Sequence, residues 1–171
     1  MFLEALKKVN THFGNRAFTA VILGSHQGRE LYKKKLIRLV EQYRLQNYVK
    51  FIEKCDLMPI AYKVSDIIVS SSIEPEAFGR VSIEAQSMEK PIVASNIGGS
   101  KETIIQDKTG YFYKNKDPVD LANSLVTVMQ KNYNLLKSIG IEGRKNVLKK
   151  FDVDKMCQTT FTEYKKLIEL S

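Results

Sequence analysis

The chain has 171 residues, 43% hydrophobic and 27% charged, with a formal net charge of +8. That is enough for one domain with its own core; no apolar run approaches the ~20 residues that a membrane-spanning helix needs, and the start "MFLEALKKVN" lacks the cationic and apolar regions of a signal peptide. Cys55 and Cys157 stand far apart with only His12 and His26 to accompany them, so a Cys/His zinc site is not expected, two reduced, half-buried thiols are expected, and the expected compartment is the cytoplasm.

The positive charge favours anionic company, such as nucleotide phosphates or an anionic membrane face. The lysines are dispersed over "LYKKKLIR", "IEGRKNVLKK" and "TEYKKL", and there is no Trp and no basic–aromatic repeat, so nucleic acid is not an expected partner.

In chain order, "AFTAVILG" (17–24) is a short β-branched run ending in Gly and reads as a buried strand. A helix follows from about Arg29 to Leu45, with Tyr32, Leu36, Leu39, Val40 and Tyr43 on one face. "NYVKFIE" is the next strand, "LMPIAYKVSD" a short helical connector and "DIIVSSS" another buried strand. The spacing of Val81, Ala85 and Met88 predicts a helix after Gly79. "KPIVASN" and "TGYFYKN" are strands, with "GGSKETIIQ" between them as a turn and helix start.

"DPVDLANSLVTVMQ" reads as a helix with Asp117 as N-cap, Pro118 at its first position and an apolar face of Leu121, Leu125 and Met129. Two more helices are expected at about 133–150 and 153–170, the last packed through Phe161, Tyr164 and Leu167 in the first reading and exposing them as an apolar strip in the second. The alternation implies an α/β fold: a Rossmann-like open parallel sheet with helices on both faces and a helical C-terminal tail. It forms a single domain over 1–171, with its core at about 1–130 and C-terminal helices at about 131–171. Ligands of such sheets bind beyond the carboxyl ends of the strands, where Gly24-Ser25, the 70–79 turn and Asn96–Ser100 fall.

The stretch "EPEAFGRVSIEAQS" (74–87) carries the chemistry. Gly79 lets a ligand approach the backbone, and the first amides of the following helix, at Arg80 and Val81, form an anion site suited to a diphosphate. Glu76 and Glu84, separated by seven residues, would repel phosphate but can accept hydrogen bonds from sugar hydroxyls on either side of it. The residues alone leave a second reading open: acidic groups that complement the helix dipole, with Arg80–Glu84 a surface ion pair.

The segment "SSSIEPEAFGRVSIEAQSMEKPIVASNIGGSKETIIQDKTGYFY" resembles the donor-binding region of the retaining glycosyltransferases of family 4 (group 1), which have the GT-B fold. The resemblance rests on an E-x7-E motif (Glu76, Glu84) with Phe78-Gly79, Ala85, Lys90-Pro91, Gly98-Gly99, Glu102 and Thr109-Gly110 in order. "FLEALKKV", "AVILGS" and "AYKVSDIIVSSS" extend it more weakly across the chain, as the C-terminal, donor-binding domain.

The resemblance implies a nucleotide-sugar donor, no metal and no prosthetic group. It implies that Glu76 contacts the donor sugar and stabilises charge at the anomeric centre, and that Glu84 binds the ribose hydroxyls. The segment Ala77, Phe78, Gly79, Arg80 and Val81 holds sugar and diphosphate, Gly24 lines the nucleotide cleft, and Ser25, Gly98 and Gly99 are secondary candidates. It also implies a strand and a "G-R-x-x-x-x-K-G" stretch ahead of "FLEAL", whose Arg and Lys clamp the diphosphate, expected to lie outside this chain, and an acceptor-binding N-terminal part, expected as a separate domain or subunit.

Two positions depart from the pattern, Glu53 where Gly is frequent and Arg80 where an apolar residue is common. The expected function is transfer of a sugar to a lipid-linked or polysaccharide acceptor, in the cytoplasm or at the inner membrane face. A non-catalytic nucleotide-binding module and a nucleotide-sugar epimerase of GT-B fold are the alternatives.

Overall fold

A computed structural model describes residues 1–14 and 18–169. Ala17, the first residue of the expected first strand, and Leu170, the last of the expected final helix, lie outside the described residues. Five strands alternate with helices: α1 (Phe2–Phe13), β1 (Ala20–Leu23), α2 (Glu30–Gln42), β2 (Val49–Ile52), α3 (Met58–Val64), β3 (Ile68–Ser70), α4 (Arg80–Ser87), β4 (Ile92–Ser95), α5 (Ser100–Thr103) and β5 (Tyr111–Tyr113). Among the described residues three helices follow: α6 (Pro118–Met129), α7 (Tyr133–Lys150) and α8 (Val153–Glu169).

All strand pairs are parallel, as the β–α alternation requires. They form two hydrogen-bonded sheets, β1–β2 and β3–β4–β5. Residues beside both sheets, Ala20 and Ile22 on one and Val69 and Val93 on the other, pack into one core with Leu3, Leu6 and Val9 of α1 and Leu121, Leu125 and Val128 of α6.

The period-2 alternation of a strand explains the layering. In β4, Val93 joins that core, whereas Ile92 and Ala94 join a second cluster with Tyr62 of α3, Ala85 of α4 and Ile104. Helices therefore cover both faces of β3–β4–β5, and all four residues of β4 are buried.

The expectation of a wholly buried first strand needs correction. Val21 is 51% exposed, because α2 and α1 cover the Ala20 and Ile22 face of β1 and its other face is open. In α2, Leu36, Leu39, Val40 and Tyr43 do reach the core, but Tyr32 is exposed, since the first turn overhangs this narrow two-stranded sheet.

The last helix is the larger correction. No residue of α8 is buried, and Phe161, Tyr164 and Leu167, expected to be packed, are exposed. Cys157 on this helix is exposed as well, rather than half-buried, while Cys55 is half-buried; both are free thiols.

The helix starts follow local chemistry. The Asp117 carboxylate caps α6, accepting from the amides of Val119 at 2.9 Å and Asp120 at 3.0 Å, and Pro118 fits the first turn, where no amide partner is lost. Asn132 caps α7 through Leu135. Gly140 and Gly143 let α7 approach α4: a Cβ on Gly140 would lie 2.0 Å from the Glu89 carbonyl oxygen. Between these helices, the buried Gln86 amide donates to the carbonyls of Ser82 and Thr103, and Asn146 donates to Gln86 Oε1 and to Thr103.

Candidate donor site

β3 ends at Ser70, and residues 71–79 lead from its carboxyl end to α4. Gly79 adopts φ +74° and ψ 55°, the left-handed region that a residue with a Cβ rarely enters. The turn it makes starts the helix abruptly. The amide of Ser82 already returns to the Gly79 carbonyl at 3.0 Å, and among the described residues the amides of Arg80 and Val81 have no hydrogen-bond acceptor. Two adjacent free amides at a helix start, reinforced by the dipole of α4, make an anion cradle.

The two glutamates flank this cradle. Ser72 donates its hydroxyl to Glu76 Oε1, which fixes Glu76 within the loop. Glu84, one helical turn into α4, receives the Tyr62 hydroxyl at 2.7 Å on Oε2 and Arg80 Nη2 at 3.0 Å on Oε1. The Arg80 side chain is 84% exposed, so this ion pair is weak. Burial, with the Glu84 carboxylate second, pushes the Tyr62 phenol well above its ordinary range, so it remains a donor.

The loop is braced from three sides. Gly98 and Gly99 pack their backbone against it: the Gly99 amide donates to the Glu76 carbonyl, and a Cβ on Gly98 would lie 2.6 Å from that oxygen. Beyond β5, Asn115 donates to the Ile73 carbonyl at 3.2 Å and Lys116 reaches Glu74 at 3.1 Å. Phe78, itself half exposed, meets Phe151 at the end of α7 edge to face. Of these bracing residues, Ser72 lies in the serine-rich strand end and Tyr62 in the "AYKVSD" lead of the resemblance, neither with a role assigned from sequence, while Asn115 and Phe151 lie outside it.

Ala77, Phe78, Gly79, Arg80 and Val81 are thus together with Glu76 and Glu84 around one turn. Gly98 and Gly99 join them as packing partners of the loop. Gly24 and Ser25 follow β1, the Gly24 amide bonding to the Ile52 carbonyl and the Ser25 hydroxyl accepting from Gln27; no hydrogen bond among the described residues links them to the 71–79 loop. Nearby, His26 is half-buried and pairs with Glu30, and Glu53 pairs with Lys33, which holds its carboxyl below the ordinary range. Among the described residues no cluster of His, Cys, Asp and Glu could hold a metal ion, and no helix is long and apolar enough to cross a membrane. A concavity of about 940 Å³ lies away from the Glu76–Glu84 turn, at the amino ends of β1 and β2 beside Asn10 and Arg44.

Known proteins supply a frame for this site. The family profile described as glycosyl transferases group 1 matches residues 1–146. The human alpha-1,3/1,6-mannosyltransferase ALG2 is 28% identical over 174 aligned positions, covering 97% of this chain and 41% of that protein. A glycosyltransferase of Rickettsia africae superposes with a TM-score of 0.88 at 31% identity, over 99% of this chain and 44% of that one. Anabaena Alr3699/HepE, solved in complex with UDP, superposes with a TM-score of 0.86 at 25% identity, over 96% of this chain and 44% of that one. The chain spans less than half the length of these relatives. Its fold is that of the Rossmann-like C-terminal domain of GT-B enzymes, and these similarities favour neither the epimerase nor the non-catalytic module. With the match running unbroken from α1 into α7 and taking in the whole braced turn, the chain belongs to the group 1 glycosyl transferases.

Proposed function

We propose that the chain supplies the donor-binding half of a retaining glycosyltransferase that moves a sugar from a nucleoside-diphosphate donor to an acceptor held by another domain or subunit. The observation that carries this reading is the pair of free amides at Arg80 and Val81, set between Glu76 and Glu84 on a loop braced by Gly98, Gly99, Asn115 and Phe151.

In this reading the diphosphate sits on the amides and the positive end of α4. Glu84 accepts the ribose hydroxyls. Glu76, fixed by Ser72, faces the sugar and stabilises positive charge as it develops at the anomeric carbon. Ala77, Phe78 and Gly79 shape the wall between them, and Gly24 and Ser25 line the base side of the cleft. Gly98 and Gly99 act by holding the loop. No metal is needed, because backbone dipoles meet the phosphate charge, with further cations coming from outside this chain.

The reading extends to a lipid-linked or polysaccharide acceptor, in keeping with a Staphylococcus aureus glycosyltransferase named for capsular polysaccharide biosynthesis that is 36% identical over 76 residues, 44% of this chain. The +8 charge suits work beside an anionic membrane surface at the cytoplasmic side.

Calorimetric titration of the chain with UDP, GDP and ADP tests this. Binding of one of them, weakened about tenfold or more in Glu84→Ala, is expected from the loss of hydrogen bonds to a charged acceptor. No binding of any of the three at millimolar concentration overturns the donor-site reading.

A further inference from the structure

We propose that Tyr62 is a positioning residue for the donor ribose, its hydroxyl holding the Glu84 carboxylate in the one orientation that receives the sugar hydroxyls. The inference rests on Glu84 being the ribose acceptor.

Tyr62 lies on α3, is 5% exposed, and packs its ring among Ala85, Ile92, Ala94 and Ile104. Its surroundings are apolar, so packing alone would be served by Phe. The hydroxyl needs a partner, and it takes Glu84 Oε2 at 2.7 Å.

The two oxygens of Glu84 are held differently. Oε2 bonds to a phenol locked in the core. Oε1 bonds to Arg80, whose side chain is 84% exposed and exchanges with water. Only the first contact can set the side-chain torsions of Glu84, which on a bare helix surface would sample several rotamers. One of about four lone-pair sites is used by Tyr62, which leaves acceptor capacity for vicinal hydroxyls. A fixed acceptor loses less entropy on binding than a mobile one. Burial keeps the phenol protonated well above its ordinary range, so it stays a donor to Glu84.

The test is a titration of the full chain with UDP, GDP and ADP and with their 2′-deoxy counterparts, using wild type, Tyr62→Phe, Glu84→Gln and Glu84→Asp. The wild type is expected to prefer the ribonucleotide by about tenfold, the worth of a hydrogen bond to a charged group. Tyr62→Phe should reduce that preference to about two- to threefold while leaving the affinity for the deoxynucleotide within about twofold. Glu84→Asp, which withdraws the carboxylate from Tyr62 by one methylene, should reproduce the loss with the Tyr62 side chain intact.

If Tyr62→Phe, or Glu84→Asp should the former not fold, keeps the full preference or weakens both nucleotides equally while Glu84→Gln abolishes the preference, the positioning role is overturned and the ribose role of Glu84 stands. If the wild type shows no preference, or Glu84→Gln retains it, the ribose reading of Glu84 fails and takes this inference with it. Absence of binding by the wild type to all six nucleotides at millimolar concentration overturns both.

Discussion

The Gly99 amide donates to the Glu76 carbonyl at 2.8 Å, and a Cβ added to Gly99 would lie 2.4 Å from the carbonyl carbon of Phe78. Two backbones are in direct contact here, with no side chain between them to yield.

Alanine at Gly99 must therefore displace the 76–78 backbone or the 98–99 turn. Overpacking of this kind costs about 1–3 kcal/mol. At Gly98 the same substitution adds a left-handed φ of +51°, a conformation worth a further ~1 kcal/mol against a residue with a Cβ. Both variants should lower the urea midpoint, Gly98→Ala the more, and both should weaken nucleotide binding in calorimetry. A Gly99→Ala protein with wild-type stability and affinity would show that the loop has slack.

A second expectation concerns the polar contact inside the helical layer. Gln86 is fully buried, with its Nε2 2.9 Å from the Thr103 carbonyl oxygen and its Oε1 3.1 Å from Asn146 Nδ2. Both amides donate to the Thr103 carbonyl, and together they tie α4, α5 and α7. Gln86→Leu should destabilise by about 2–3 kcal/mol, because it leaves one buried Asn146 proton without an acceptor and removes one of the two donors to the Thr103 carbonyl. Combined with Asn146→Ala in a double-mutant cycle by chemical denaturation, the loss should fall short of the sum by about 1 kcal/mol. Strict additivity would mean that the two amides act independently.

Acid should loosen α6 through its cap. The amide of Asp120 most of all, opposed by desolvation and helped to a lesser degree by the amide of Val119, holds the Asp117 carboxyl below its ordinary value, with Lys114 and Lys8 adding to the shift. A folded-state pKa below the unfolded one favours folding while the group is ionised. The contribution is therefore complete above the ordinary aspartate value, about pH 4, and is lost as pH falls through the lowered folded value. Asn caps helices as well as Asp does and does not titrate. In thermal melts from pH 6 downwards, Asp117→Asn should lose less stability than wild type below about pH 4; parallel curves would remove Asp117 from the acid response.

The elements themselves were largely written in local pattern. Asp117-Pro118 announces the start of α6 because a capping carboxylate and a fixed φ act within a few residues. The span 133–150 agrees with α7 for the same reason, with Asn132 as its cap. The glycine turn and both glutamates were legible because the motif is contiguous.

What holds them was not. Tyr62 reaches Glu84 from 22 positions away and Asn115 reaches Ile73 from 42, and no periodicity pairs residues at such separations. Sequence showed that Gly98-Gly99 mattered but not that its partner was backbone. The apolar stripe of α8 carries a helical period regardless of what covers it, so Phe161, Tyr164 and Leu167 looked packed and proved exposed. Tyr32 failed differently, since its periodicity was right but the sheet beneath is only two strands wide.

The division of the strands into β1–β2 and β3–β4–β5 has a consequence for cooperativity. In a continuous sheet, freeing one strand breaks the ladder of the next. Among the described residues no such ladder joins β1 to β3, and the two groups are joined through side chains gathered on α1 and α6. The braced turn after β3 thus draws its backbone support from β4 and β5, and among the described residues its coupling to β1 and β2 runs through side-chain packing.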